Sequence, residues 1–188
     1  MRLNQQFYNQ PTVKVAKALL GKFLVHKVNG KILVGKIIET EAYVGPKDLA
    51  SHASRGKTKR TEIMFGEAGY WYVYLIYGMY YCLNIVTEHK NYPAAVLIRK
   101  VEPVSGLKEK IKTDGPGKLC RAFIIDKNLN GMSSFEKKSK LWIEDRGEII
   151  KPDKIKKAPR VGVDYAGEYK NKLWRFKLSD EEIELIKR

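Results

Sequence analysis

The sequence predicts a single α+β domain, and three observations carry that expectation. Segments with a two-residue hydrophobic period alternate with only a few short helical stretches. At 188 residues the chain can bury one full core without disulfides or metals. No internal repeat, low-complexity tract or long linker divides it, so residues 1–188 read as one unit.

In chain order, residues 12–25 (TVKVAKALLGKFLV) place Val13, Ala16, Leu19 and Leu20 on one helical face, with Gly21 as a C-terminal stop. From 22 to 44 the pattern changes to period two, and Asn29-Gly30 has the composition of a two-residue hairpin turn. Strand patterns continue over 70–86 and 94–101. Helical character returns near 116–127, behind Asp114-Gly115-Pro116-Gly117. The stretch 132–160 reads as one short strand, LWIED, among Lys-rich loops. Two more strand-like pieces, VGVDY and LWRFKL, precede an acidic-then-basic tail with the pattern of a short helix.

The charge is the unusual quantity. Lys and Arg number 36 against 21 Asp and Glu, a net +15, which favours a polyanionic partner: nucleic acid or an acidic membrane surface. A well-solvated Lys-rich surface would give the same figure. A spanning segment is excluded, because the most apolar stretch, 71–86, falls short of the roughly 20 residues a membrane helix needs and carries five tyrosines. The start, MRLNQQFYNQP, has no apolar signal-peptide core. Cys82 and Cys120 suit reduced thiols, and with His26, His52 and His89 they show no zinc-ligand spacing. These features predict a soluble, cytoplasmic protein.

Three groups of residues suggest chemistry. Under strand alternation Leu33, Ile37, Glu39, Glu41 and Tyr43 share one face, opposite Ile32, Val34, Ile38, Ala42 and Val44. A strand buried on one face and solvated on the other would show the same pattern without any function. Two like charges about 7 Å apart beside an aromatic ring nevertheless suit a carboxylate acting as a base. Next, GYWYVYLIYGMYYCLNIV packs seven aromatics into 70–81. Rings supplied to a core explain most such hairpins. A turn at Gly78, however, would put Tyr77 at a rigid tip, where a large ring makes a wedge between stacked bases. Tyr72 and Tyr74 would then share a face on which an extruded base could stack. Finally, SHASRGKTKRTE carries Arg55, Lys57, Lys59 and Arg60 around Gly56, a loop suited to phosphate contacts beside such a wedge. Lys118 at the opening of the second helical stretch is another candidate. The lysines at 108–112, 137–140 and 154–157 read as general surface.

Assembled, these residues resemble the alkyladenine (3-methyladenine) DNA glycosylase family over about residues 7–178. The resemblance rests on Glu39-Thr40-Glu41-Ala42-Tyr43, Gly45-Pro46 and His52, on the run from Tyr72 to Tyr80 with Asn84, and on Val96-Leu97-Ile98-Arg99 with Glu102-Pro103. Gly115-Pro116-Gly117-Lys118-Leu119-Cys120 and Arg160-Val161-Gly162-Val163 with Ala166-Gly167 complete it. It implies a curved, mainly antiparallel sheet resembling an open barrel, with peripheral helices. It implies a monofunctional DNA repair hydrolase that flips alkylated purines, with hypoxanthine a candidate, out of duplex DNA and leaves an abasic site. In that reading Glu41 activates the water and Arg99 helps to hold it or the adjacent phosphate. Tyr43, His52, Tyr74 and Asn84 line the base pocket, and Tyr77 intercalates. The resemblance also implies a monomer that binds damaged double-stranded DNA, with no metal, organic cofactor or membrane involved. The start of the chain close to the domain fits a compact prokaryotic type acting on the nucleoid. The competing reading is a non-catalytic basic module that recognises distorted DNA. A second competitor is a glycosylase/lyase using a lysine nucleophile.

Overall fold

The two-residue period of 31–43 is realised as one long strand, β2 (Lys31–Tyr43), and the rest of the fold is arranged around it. A computed structural model describes residues 1–108 and 110–186. Along one edge β2 pairs with β5 (Ala95–Ser105); along the other it pairs first with β1 (Phe23–Val28) and then with β8 (Arg175–Leu178). Adding β3 (Trp71–Ile76), β4 (Tyr80–Val86) and β6 (Leu141–Glu144) gives the order β3-β4-β5-β2-β1-β6, with β7 (Ile155–Ala158) paired to β8. Every pairing is antiparallel, and the sheet curls into a half-barrel with the helices at its periphery. The α+β class and the curved sheet therefore stand as expected.

The β1–β2 turn falls at Asn29-Gly30, with φ values of 50° and 72° that fit a two-residue hairpin matched to strand twist. The first helical stretch is shorter than its pattern suggested. After a single turn, α1 (Gln5–Tyr8), α2 runs only from Thr12 to Ala18. Its buried face is Thr12, Val15 and Ala16, continued by Leu19 and Leu20, whereas Val13 is half-buried. Phe23 to Val25 leave the helical pattern because they are claimed by the sheet. The Thr40 hydroxyl donates to the Ala16 carbonyl at 2.8 Å, which fastens α2 across β2. β2 is buried on both faces from Leu33 to Ile38, Val34 packing with Phe23 and Val25 of β1, so the solvated face its alternation allowed does not exist there.

Downstream, α3 covers Pro116–Ala122, five residues short of the expected end, and α4 covers Asp180–Ile186; the tail's basic end, Lys187 and Arg188, lies outside the described residues. Two expectations are corrected. Residues 161–165 (VGVDY) form turns, not a strand, because the Val161 N–H bonds a carboxylate of β2 instead of a ladder partner. Conversely β7 lies inside a segment that reads as a Lys-rich loop: Lys156 and Lys157 are exposed while the backbone pairs with β8. The largest core cluster joins α2, β1, β2, β4, β5 and α3, and includes Trp71, whose indole N–H donates to the Leu141 carbonyl at 3.1 Å. Among the described residues no helix is long and apolar enough to cross a membrane.

Candidate active site

Where β2 runs alongside β5, β-bulges around Glu39 interrupt the register, and both strand carboxylates meet one guanidinium. Arg99 donates from Nε to Glu39 at 3.1 Å, and its Nη1 lies 3.4 Å from Glu41 Oε1. Arg175 of β8 also reaches Glu39, at 3.4 Å. The repulsion expected of two neighbouring glutamates is thus offset by two arginines between them. Their environments differ: the Glu39 side chain keeps 16% of its surface, whereas Glu41 keeps none.

Three groups hold the Glu41 carboxylate. The Tyr43 hydroxyl donates to Oε2 at 2.9 Å, the Val161 N–H donates to Oε1 at 2.9 Å, and Arg99 stands alongside. Burial pushes the Glu41 carboxyl above the usual carboxylate range, and these contacts, Arg99 first, pull it back. Burial, reinforced by the adjacent Glu41 charge, pushes the Tyr43 phenol well up, so Tyr43 remains a donor at neutral pH.

Tyr43, Arg99 and Val161 also line a cavity of about 130 Å³ whose other walls come from distant parts of the chain. Tyr72, Tyr74 and Ile76 enter from β3, Cys82 and Asn84 from β4, His52 from the 3₁₀ turn His52–Arg55, and Gly162, Val163 and Tyr165 from the loop. Pockets for drug-sized ligands measure roughly 300–1,000 Å³, so this smaller space suits a single small heterocycle. Glu41 sits just behind the wall, tied to three lining residues. The Tyr72 and Tyr74 rings lie 5.1 Å apart at 36°, and His52 meets Tyr74 edge-on at 4.6 Å. His52 Nδ1 is 3.1 Å from the Tyr72 hydroxyl. Burial, with Arg60 and Arg55 nearby, lowers the imidazole to about 4, so it is neutral at pH 7. The Asn84 amide nitrogen donates to the Tyr72 carbonyl at 3.1 Å and the Cys82 carbonyl at 3.4 Å, which engages its donor capacity within the hairpin. Among the described residues, no lysine lines the cavity, and no three His, Cys, Asp or Glu side chains gather to hold a metal ion.

The turn between β3 and β4 has φ of 52° at Tyr77 and 67° at Gly78. Such a φ is costly for a bulky residue, and it holds the Tyr77 ring out with 83% of its surface exposed. Leu75, Met79 and Tyr80 surround it with further exposed apolar surface. Arg60 stacks 5.1 Å from the Tyr74 ring centroid, while Arg55 and Lys57 stand exposed beside the His52 turn. Lys118 is partly exposed and pairs with Asp114 at 3.0 Å, so a phosphate contact there would have to displace that partner.

The structure therefore gathers Glu41, Arg99, Tyr43, His52, Tyr74 and Asn84 around one cavity, and sets Tyr77, Arg55, Lys57 and Lys118 outside its lining. No sequence pattern assigns a role to Asp48, Arg160 or the Val161 amide. The motif containing Arg160 was visible, but nothing local marks Asp48 as more than a turn residue.

The methylpurine-DNA glycosylase (MPG) family model matches residues 6–182. A Clostridium perfringens (strain 13 / Type A) protein named as a 3-methyladenine DNA glycosylase is 45% identical, the match covering 97% of this chain and 98% of the relative. A Methanocella arvoryzae protein of the same name is 49% identical over 93% of this chain and 90% of its own length. One from Legionella pneumophila (strain Corby) is 47% identical over 95% of both.

Proposed function

The chain belongs to the methylpurine-DNA glycosylase family, hydrolases acting on N-glycosyl bonds in DNA, and from that premise we propose that it extrudes alkylated purines from duplex DNA and hydrolyses their bond to deoxyribose, with Glu41 as general base. The observation that carries this reading is a wholly buried carboxylate, fastened to Tyr43, Val161 and Arg99, directly behind a small aromatic cavity.

A base inside the helix is out of reach, so the nucleotide must leave the stack, and damaged or mispaired bases cost least to extrude. Tyr77, exposed on its rigid turn, would fill the gap. The extruded purine would lie among Tyr43, Tyr74 and His52. Because His52 is neutral there, it offers a hydrogen bond without adding charge against a cationic alkylpurine. Asn84, its amide nitrogen tied to the hairpin carbonyls, would stand fixed at the purine edge and exclude the 2-amino group of guanine by bulk.

In the bond-breaking step the C1′–N electron pair departs with the base, and positive charge develops on the sugar. Water attacks C1′ as Glu41 accepts its proton, while the anion also stabilises the oxocarbenium-like sugar. Arg99, bridging Glu39 and Glu41, would keep the carboxylate aimed and ionised. An alkylated purine leaves already cationic; hypoxanthine, the further candidate substrate, would depend on pocket hydrogen bonds. Arg55, Lys57 and Lys118 are proposed to contact backbone phosphates, and the enzyme is proposed to act as a monomer on damaged DNA.

Abasic-site formation in a duplex carrying a single 3-methyladenine analogue or hypoxanthine tests the proposal. Glu41→Gln should lower the single-turnover rate by about 10²–10⁴-fold, the usual contribution of a well-placed base. A variant that cuts as fast as the parent would remove Glu41 from that role. Lesion binding by the parent without turnover would favour the non-catalytic module.

A further inference from the structure

We infer that Arg160, clamped to Asp48 beneath the cavity, is a positioning residue for the excision step, holding the Val161 amide on Glu41 and the Tyr43 ring in place. The inference rests on the reading of Glu41 as the base.

Both side chains of the pair are wholly buried. Arg160 donates from Nη1 to Asp48 Oδ2 at 2.5 Å and from Nη2 to Asp48 Oδ1 at 2.8 Å, the two-pronged geometry that a guanidinium alone provides. The same nitrogens reach the Ala42 carbonyl at 3.0 Å and the Tyr169 carbonyl at 3.3 Å. The cation lies between two rings, 4.9 Å from the Tyr43 centroid and 5.1 Å from that of Trp174. Asp48 in turn accepts the Val44 N–H at 3.0 Å and the Ala50 N–H at 3.1 Å, which shapes the turn leading to His52. One ion pair thus ties together the end of β2, the segment entering the His52 turn and the loop after Arg160. Each of these supplies a wall of the cavity.

A buried ion pair is weak as a source of stability, because desolvation offsets its attraction; buried donors left unmatched, as Arg160 Nε is, add to the cost. Its geometric effect is specific. The residue after Arg160 is Val161, whose amide donates to Glu41 Oε1. The other groups facing that carboxylate are Tyr43 and Glu39 on β2, Arg99 on β5, Arg175 on β8 and the Cys82 thiol on β4. Of these, Tyr43 rests directly on the ion pair, its ring centroid 4.9 Å from the Arg160 guanidinium.

The test is Arg160→Lys, which keeps the charge but loses the planar fork, studied by single-turnover excision across pH alongside the parent and Glu41→Gln. We expect a folded protein by circular dichroism, a full active-site titration and a rate about 10- to 100-fold below the parent, as for a small misplacement of a reacting group. The acid limb should move up by about one pH unit, because an amide that favours the ionised carboxylate has been withdrawn. Affinity for a duplex holding an abasic analogue should be unchanged. A rate that falls only with the folded fraction, with the limb unmoved, overturns the inference and leaves the proposed base intact. If Glu41→Gln itself cuts at the parent rate, the reading of the base fails first. Should Arg160→Lys not fold, Asp48→Asn with a ¹⁵N-labelled Val161 amide decides: a resonance insensitive to the substitution and an unmoved limb also overturn it.

Discussion

A carboxylate with no exposed surface is an awkward base, since its ionised form is the one that burial penalises. Glu41 offsets that penalty with one phenol, one backbone amide and one guanidinium, and its proton affinity still stays above the ordinary range. The sign has a consequence for stability. A group that binds its proton more tightly in the folded state contributes stability at low pH and loses it as pH rises through the folded pKa. Glutamine mimics the protonated form: its amide oxygen can accept from the Val161 N–H and its NH2 can donate to the Tyr43 hydroxyl oxygen, while Arg99 retains Glu39 at 3.1 Å. Glu41→Gln should therefore melt above the parent at pH 8, with the gap closing as pH falls below the folded pKa of Glu41; thermal melts across pH check this. A variant less stable than the parent at pH 8 would mean that the attraction to Arg99 outweighs desolvation. Of the residues around this carboxylate, Tyr43 was legible in the sequence as the strand neighbour two positions on. Arg99 acquired a role only through the family resemblance, and the Val161 donor had no sequence signal because any residue carries an amide.

At the scale of elements, the β3–β4 hairpin combines two jobs that its composition alone leaves unresolved. The inner rings, Trp71 and Tyr72, are buried, so packing explains part of the aromatic run. Tyr77 is different: Tyr77-Gly78 adopts two successive positive φ values, and no core contact accounts for the exposed ring. Tyr77→Ala should leave the melting temperature nearly unchanged, because surface substitutions away from special contacts rarely exceed about 0.5 kcal/mol. It should instead slow excision from duplex far more than from single-stranded DNA carrying the same lesion. Equal losses on both substrates would argue against a wedge. The loop 161–165 shows the opposite case, a strand-like pattern that becomes turns. Its apolar residues alternate as a strand's would, yet Val163 packs with Ala50 and Ala166 in a small separate cluster, and Val161 bonds Glu41. Local periodicity registers burial but not what does the burying.

For the whole molecule the +15 charge becomes informative only once it has a place to act. Exposed Arg55 ends the His52 turn and exposed Lys57 follows it, while Arg60 stacks on Tyr74. Each phosphate neutralised releases counterions, so the logarithm of affinity falls with the logarithm of salt by roughly 0.9 per contact. Replacing Arg55 and Lys57 by Ala should weaken binding to lesion and undamaged duplexes alike and reduce the salt slope by about 1 for each true contact; a slope equal to the parent's would assign these cations to general surface. By itself the sequence determined the α+β class, the Asn29-Gly30 turn, the aromatic hairpin and the candidate carboxylate, because each is written in spacing and residue type within one short segment. Only the tertiary structure decided which carboxylate loses all its surface, which loop supplies its amide, and that Arg160 and Asp48, 112 residues apart, clamp the cavity. Those outcomes depend on the desolvation and hydrogen-bond geometry created when strands and loops distant in the chain are brought into contact, and neither quantity has a local signature.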